Sequence, residues 1–366
     1  MQHTGTALAA DYEQQLNEKI TVTESEFTEF SPPELEVFPS PASHFRMRAE
    51  FKIWHDKETG SASYAMHKPG VSNKPFIIED FTIGSATINQ LMPALLTEIN
   101  LSETLKRKLF QAEFLTTTKQ EALISLIYHK PITEEWRQQA KALAEKLQCK
   151  IIGRSRKQKM VIDNDWVTEK FTVGGKKYQY QQVENSFTQP NAVVCSHMLN
   201  WAIDTIKNIG GDLLELYCGN GNFTLPLSRQ FNKVLATEIS KTSVNSAKFN
   251  MQENQCNNID IARMSSEEFT QALNREREFR RLKHIDLDDY DFSTIFVDPP
   301  RSGLDPDTEE LAARFDNILY ISCNPTTLKK NIDHLSKTHT ITRFALFDQF
   351  PYTDHRECGV LLQRRK

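Results

Sequence analysis

From residue 190 onward the sequence alternates short, largely apolar runs with segments of helical spacing, and no other feature restricts the possible folds as strongly. The runs occupy residues 212–217, 234–237, 259–263, 294–297 and 318–322; helical segments cover 191–208 and 241–253, and others begin near 267 and 307. Runs without polar alternation fit strands buried on both faces. Buried strands separated by helices build a parallel, doubly wound α/β sheet. Ligands of such sheets bind beyond the carboxyl ends of the strands, so the residues that follow each run are the first place to look for chemistry.

After the first run comes Cys218-Gly219-Asn220-Gly221-Asn222. Its glycines let backbone approach a ligand, although two of them fall short of a full dinucleotide fingerprint. The second run ends in Glu238, 19 residues after Gly219, where an acid suits hydrogen bonds to both hydroxyls of a ribose. The run at 294–297 delivers Asp298, and Pro299-Pro300 stiffen the turn before Arg301. A carboxylate at the end of an apolar strand is costly unless something there pairs with it. The last run delivers Cys323, followed by Asn324-Pro325. Residues 347–360 then read as strand, irregular loop and strand, a segment that folds over the sheet edge with His355, Arg356 and Glu357; Glu357 is best placed to reach a site from above.

Ahead of residue 190 the pattern is different. Phe45, Met47, Ala49, Phe51 and Ile53 alternate with Arg46, Arg48, Glu50 and Lys52, which predicts a strand with one core face and one charged face. Residues 113–118, 122–128, 149–154 and 159–162 read as further strands, and 134–147 as a helix. Gly174-Gly175 suits a two-residue hairpin, because primed turns need positive φ. The first 40 residues read as a short helix over 11–20 and a Ser/Thr/Glu-rich loop ending at Pro32-Pro33. The expected organisation is an acidic helix and loop at 1–43, an α+β domain at 44–180 and the doubly wound domain at 181–366.

Composition agrees with two domains of ordinary size: 366 residues, 39% hydrophobic, 10% aromatic and 25% charged, which excludes collagen, coiled coil and wholesale disorder. A formal charge of −4 speaks against a uniformly basic nucleic-acid binder, but the charge is unevenly spread. Residues 1–43 carry one Lys and eight acids, a net of −7; residues 44–180 carry 22 basic and 15 acidic residues, a net of +7; the remainder carries 21 and 25, a net of −4. A positive middle suits an anionic partner.

The cysteines Cys149, Cys195, Cys218, Cys256, Cys323 and Cys358 show no CxxC pair and no zinc spacing, so reduced thiols and no metal are expected. Of these Cys323 has the strand-end setting, while Cys218 reads as a small packing residue. No secretory leader pattern opens the chain, and no stretch approaches the ~18 apolar residues that span a bilayer. A cytoplasmic protein without a membrane partner is expected.

These residues, in this order, resemble the tRNA (uracil-5-)-methyltransferase family along the whole chain. The resemblance rests on Glu184-Asn185-Ser186-Phe187-Thr188-Gln189-Pro190-Asn191, Glu215-Leu216-Tyr217-Cys218-Gly219-Asn220-Gly221-Asn222-Phe223, Asp298-Pro299-Pro300-Arg301-Ser302-Gly303, Ser322-Cys323-Asn324-Pro325 and residues 347–359. It implies a class I, Rossmann-like methyltransferase domain that uses S-adenosyl-L-methionine, preceded by an α+β RNA-binding domain. Gln189, Tyr217, Gly219, Asn222, Glu238 and Asp298 fall at the family's cofactor positions, Cys323 at the nucleophile and Glu357 at the proton acceptor. The implied substrate is the T-loop uridine at RNA position 54, converted to 5-methyluridine. Members that act on ribosomal RNA often carry an iron–sulfur cluster on an N-terminal cysteine set. No cysteine precedes Cys149 here, so no cluster is expected and the tRNA branch is favoured.

The implied chemistry explains the cysteine. Carbon 5 of uracil is too weak a nucleophile until a thiolate adds to carbon 6, and a base must later remove the carbon 5 proton so that the thiol can leave. A thiol with a reference pKa of about 8.5 needs a positive or hydrogen-bonding neighbour to ionise, and Arg301 is the candidate. In the basic middle, Arg46, Arg48, Lys52, Lys106-Arg107-Lys108, Arg154, Arg156, Lys157 and Lys159 are candidate phosphate contacts, with Phe110 and His44 as candidate wedges for extruding a buried base. The expected partner is the T-arm of tRNA, with tmRNA a further candidate, acted on by a monomer. Two other readings remain at this stage: the same chemistry on a T-like loop of tmRNA or rRNA, and an RNA-folding factor for the tRNA elbow with methylation secondary. A methyltransferase for exocyclic nitrogen fits less well, because Arg301 stands where such enzymes commonly place an aromatic.

Overall fold

The computed structural model describes residues 9–66 and 75–366. The chain divides into two units, one containing Pro41–Glu169 and Gln182–Ala192, the other containing Ala10–Ser40, Lys170–Gln181 and Val193–Lys366. The N-terminal helix α1 (Ala9–Phe27) and the short strand β1 (Glu36–Phe38) belong to the second unit apart from the first residue of the helix. Helix α1 runs well past residue 20, through the stretch expected to be a loop. Its buried stripe is Tyr12, Lys19, Thr23 and Phe27, so two of its four members are polar and mask the helical period. The hydroxyls of Thr21 and Thr23 donate to the carbonyls of Asn17 and Lys19, one turn back, which satisfies them within the helix.

In the first unit, strands β2 (Arg48–His55), β3 (Ala62–Met66), β4 (Phe76–Ile77), β5 (Leu109–Thr116), β6 (Ala122–Tyr128), β7 (Lys150–Ser155) and β8 (Gln158–Val161) form a sheet in the order β4-β3-β2-β5-β6-β7-β8. Helices α2 (Ala86–Leu101), α3 (Glu103–Lys106) and α4 (Glu134–Leu147) complete it. The alternation read along β2 is present: Ala49, Phe51 and Ile53 are buried, and Glu50 is exposed. Those buried side chains join Tyr64, Leu95, Phe114 and Trp136 in one core. The Ser85 and Thr133 side chains cap α2 and α4 by accepting from the amides of Ile88 and Trp136. Gly153 in β7 lets helix and sheet meet, since a Cβ there would lie 2.5 Å from the Trp136 ring.

A hairpin, β9 (Trp166–Val173) and β10 (Lys176–Val183), turns at Gly174 and Gly175 with φ of 55° and 77°. Two consecutive positive values are what a type I′ turn demands.

The catalytic-looking half continues with α5 (Ala192–Thr205), β11 (Asp212–Leu216), α6 (Thr224–Leu227), β12 (Val234–Thr237), α7 (Lys241–Glu253), β13 (Ile259–Ala262) and α8 (Ser266–Leu273). It ends with β14 (Phe292–Val297), α9 (Pro306–Ala312), β15 (Asn317–Ser322), α10 (Pro325–Leu335), β16 (His339–Phe347) and β17 (Glu357–Arg364). The strand order β1-β16-β17-β15-β14-β11-β12-β13 confirms the doubly wound sheet, with β17 inserted antiparallel between β15 and β16 and β1 added parallel to β16. Strands β11, β12 and β15 are buried at every position. The sheet reverses its winding at β11, which has β12 on one side and β14 on the other, the usual place for a ligand crevice. Among the described residues no helix is long and apolar enough to cross a membrane.

Replacing Gly153 with Ala forces its new methyl into the Trp136 ring and is expected to destabilise the protein by ~1–3 kcal/mol, read as a lower urea midpoint; an unchanged midpoint would show that the ring yields freely.

Candidate active site

Strand register assembles the site. Leu216 pairs with Thr237 on one side and Val297 on the other, and Val297 pairs with Tyr320. Tyr217, Glu238 and Asp298, each one residue beyond its strand, therefore share the carboxyl edge. Because β17 runs antiparallel, Ser322 pairs with Cys358. The residue after Ser322 and the residue before Cys358 are thus brought side by side: Cys323 and Glu357. Asn324 caps α10 with its side chain and Pro325 opens the helix, so Cys323 is pinned between a strand end and a helix start.

The glycine loop is shaped by positive φ. Tyr217 adopts φ of 63°, uncommon for a residue with a side chain, and its hydroxyl is 2.8 Å from Ser266 Oγ. Gly219 has φ of 57°, and a Cβ built on it would meet nothing within 4 Å, so the backbone there faces open space. The Gly219 amide donates to Glu238 Oε2 at 3.0 Å and the Ser240 amide to Oε1 at 2.7 Å. Both oxygens are held in place and each keeps a further lone pair for another donor. The Asn222 side chain lies 3.4 Å from Cys195 Sγ, while its carbonyl accepts from the Tyr180 hydroxyl. An open backbone face beside a fixed carboxylate fits the adenosine portion of the expected cofactor.

The residues expected to carry the chemistry lie further along the edge. Arg301 is exposed, and its Nη2 is 3.2 Å from His355 Nε2. Asn324 Nδ2 donates to the Arg301 carbonyl at 2.9 Å, tying the Pro-Pro turn to α10. Asp298 makes no hydrogen bond or ion pair among the described residues, which leaves its carboxylate available to a cationic ligand. Burial raises the Asp298 carboxyl above its ordinary range, and burial together with the charge of Asp298 raises Glu357 well above its own, with Arg301 opposing. Glu215, inside β11, is pushed up to about 8 by burial, with the charge of Asp298 adding to it.

The Cys323 thiol is pushed up to about 11 by burial and by the charges of Glu357 and Asp298, against the opposing pull of Arg301. Arg301 thus acts in the expected direction but is outweighed by burial and its acidic neighbours in the free protein.

Gln189 lies in the first unit, ahead of Pro190 and α5. The proposed RNA contacts also lie in that unit. The Arg154 guanidinium pairs with the buried carboxylate of Glu184, Arg48 donates to the Glu184 carbonyl, and Arg46 Nε donates to the Arg48 carbonyl. Arg156 and Lys157 are exposed, as are Arg107 and Lys108. The Lys52 ammonium sits 4.0 Å from the centre of the Phe110 ring, and Phe110 stacks on His129 at 4.2 Å. His44 is exposed, with Nδ1 2.9 Å from the Gly84 carbonyl. Sequence reasoning missed His129 and Glu215. The first becomes visible only once Leu109 is paired with Tyr128; the second stood inside a motif but in mid-strand, where a carboxylate is not expected.

The raised thiol makes a direct prediction. Alkylation of Cys323 by iodoacetamide in the free protein should speed up about tenfold per pH unit from about pH 7 to pH 9.5, because only the thiolate reacts. Arg301→Ala removes the one opposing charge and should slow alkylation further. Peptide mass spectrometry of Cys323 reads both; a rate that levels off below pH 8 would contradict the raised thiol.

Comparison with known proteins matches the chain over residues 11–365 to the family described as tRNA (Uracil-5-)-methyltransferase. A protein of Teredinibacter turnerae named tRNA/tmRNA (uracil-C(5))-methyltransferase is 61% identical over 361 residues, covering 99% of both chains. One of the same name from Saccharophagus degradans is 60% identical over 362 residues, also with 99% of both chains covered. The crystal structure of the Pyrococcus abyssi tRNA (uracil-54, C5)-methyltransferase with S-adenosyl-L-homocysteine superimposes with a TM-score of 0.73 at 19% identity, covering 96% of this chain and 83% of that one. At that identity the likeness speaks for the fold.

Proposed function

The chain belongs to the tRNA (uracil-5-)-methyltransferase family, and on that premise we propose that it methylates carbon 5 of the T-loop uridine, position 54, through a covalent Cys323 adduct resolved by Glu357. The activity of the family, S-adenosylmethionine-dependent methylation of a tRNA uracil, is this chain's activity. The finer reading is carried by one observation: the Ser322–Cys358 pairing sets Cys323 beside Glu357 at the edge where Asp298 ends its strand.

Cys323 Sγ, as thiolate, bonds to carbon 6 of the uracil, and the displaced π electrons move through carbon 5 onto oxygen 4 as an enolate. The enolate electrons return to carbon 5 to bond the methyl group that S-adenosylmethionine, when bound, would supply, its methyl–sulfur bond breaking to leave S-adenosylhomocysteine, and the positive charge of the donor would offset the carboxylates that raise the thiol. Tyr217, Gly219, Asn222, Glu238 and Asp298, with Gln189, are the residues assigned to hold it. Glu357 then takes the carbon 5 proton. The electron pair of that C–H bond reforms the carbon 5–carbon 6 double bond while the carbon 6–sulfur bond breaks and Cys323 leaves as thiolate. Burial favours a Glu357 that accepts this proton readily, since the neutral acid is the form its surroundings prefer.

The first unit is assigned to reading the T-arm. Lys52, Phe110 and His129 form a cationic and aromatic group suited to an unstacked base, and Arg156 with the other exposed cations of β7–β8 suits phosphate. Arg46, Arg48 and Arg154 are assigned here as well, through the rigid polar face they build around Glu184. A T-like loop of tmRNA is a second substrate, a reading supported by the names of the close relatives. All reacting groups come from one chain, so a monomer acting on cytoplasmic tRNA suffices.

Unmodified tRNA incubated with the wild type and S-adenosylmethionine should give 5-methyluridine at position 54, mapped by nuclease digestion and mass spectrometry. Cys323→Ser should give none. Glu357→Gln should leave a methylated, denaturant-stable protein–tRNA adduct. Methylation by Cys323→Ser, or at another position, would overturn the assignment.

A further inference from the structure

Glu357 makes no hydrogen bond or ion pair with another side chain among the described residues, so its position is set by the backbone that carries it. On one side that backbone is β17. On the other it is the loop at residues 348–356, which joins β16 to β17 and has little regular structure of its own. Tyr352 in this loop adopts φ of 62°, a conformation that surroundings must hold.

Helix α1 holds it at three places. Near its start, the Lys19 ammonium is 2.7 Å from Asp348 Oδ1 and donates to the Phe350 carbonyl at 2.8 Å, with the Lys19 and Asp348 side chains 7% and 0% exposed. Gln15 Nε2 donates to Asp348 Oδ2, and Gln15 Oε1 accepts from the Tyr352 amide. In the middle, the Tyr12 and Tyr352 rings meet edge to face at 6.0 Å. At its end, immediately before Glu357, Arg356 donates to Thr23 Oγ1 at 3.1 Å and pairs with Glu26 at 2.9 Å.

We propose that α1 is a strap that sets the position of the proton acceptor Glu357, with Lys19 and Arg356 as positioning residues for the elimination half of the reaction. The proposal rests on the reading of Glu357 as that acceptor. Phe27 and Ile20 already join the helix to the core with apolar surface, so stability alone does not call for polar contacts to the loop. A buried ion pair costs desolvation and adds little net stability, but it is directional, and direction is what an unpartnered carboxylate needs from its loop. Among the described residues no hydrogen bond or ion pair joins the strap to Cys323 or the glycine loop, so it should bear on proton removal and spare the earlier steps. Helix α1, in the acidic N-terminal segment, thereby acquires a role.

The test uses full-length Lys19→Met and Arg356→Ala with tRNA and S-adenosylmethionine, and Glu357→Gln as reference. Single-turnover methyl transfer should stay within about threefold of wild type while steady-state turnover falls about ten- to a hundredfold, the loss expected of a misplaced reacting group. A methylated, denaturant-stable protein–tRNA adduct should accumulate in step with that loss. Because Lys19→Met leaves Asp348 buried and unpaired and can unfold the chain, the exchange pair Glu26→Arg with Arg356→Glu supplies the second arm: it should restore turnover lost in Arg356→Ala. Equal loss of methyl transfer and turnover without adduct, or wild-type turnover in Arg356→Ala, overturns the strap. If Glu357→Gln accumulates adduct and the strap variants do not, the strap alone falls; if Glu357→Gln turns over like wild type, the acceptor reading falls first and the strap with it.

Discussion

One antiparallel pairing determines most of what this molecule can do. In an all-parallel sheet every strand ends at the ligand edge and begins at the opposite one, so side chains from strand starts never reach the chemistry. Reversing β17 between β15 and β16 brings a strand start to the ligand edge, and the pairing of Ser322 with Cys358 brings together Cys323 and Glu357, the proposed nucleophile and proton acceptor. The same reversal leaves β16 running parallel to β15, so the chain must cross from β16 to β17 over the site. That crossing is the loop that α1 straps, and β1 then covers the outer edge of β16. Residues 10–40 are therefore part of the same unit as the doubly wound sheet.

The electrostatics of the edge follow from the same convergence. Burial raises the Glu215, Asp298 and Glu357 carboxyls and the Cys323 thiol, the charge of Asp298 adds to the shifts of Glu215, Glu357 and Cys323, and Arg301 opposes those of Glu357 and Cys323 without offsetting them. A thiol held this way is protected from adventitious alkylation and oxidation, which need the thiolate. A cationic ligand at Asp298 would change the balance, so in the proposed mechanism the methyl donor would also favour ionisation of Cys323. The overall charge of −4 is in keeping with this acidic centre, while the cations assigned to RNA sit in the other unit.

Much of the fold was legible because parallel α/β proteins write their buried strands as unbroken apolar runs and their functional residues immediately after them. Glu238, Asp298 and Cys323 were singled out as candidates by that rule, and the structure places each one residue beyond its strand. Strand order was not legible, because local pattern carries no record of which strands become neighbours; hence the antiparallel insertion of β17 came only from the structure. Helix α1 was truncated in the reading because Lys19 and Thr23 occupy its buried stripe, where periodicity looks for apolar residues. Charges were easier to find than their partners. Arg154 was read as a phosphate contact, yet it meets Glu184 from a segment 30 residues away, a distance no periodic pattern spans.

The central claim is a covalent bond between Cys323 and carbon 6 of a tRNA uracil. It is tested most directly by incubating the full-length protein and S-adenosylmethionine with tRNA containing 5-fluorouracil, whose fluorine cannot be removed as a proton, then digesting with nuclease and trypsin and sequencing the conjugate by mass spectrometry. The account predicts one methylated fluorouridine conjugate, on the peptide carrying Cys323, absent from Cys323→Ser. A conjugate on another cysteine, or none from wild-type protein that methylates ordinary tRNA, would contradict it.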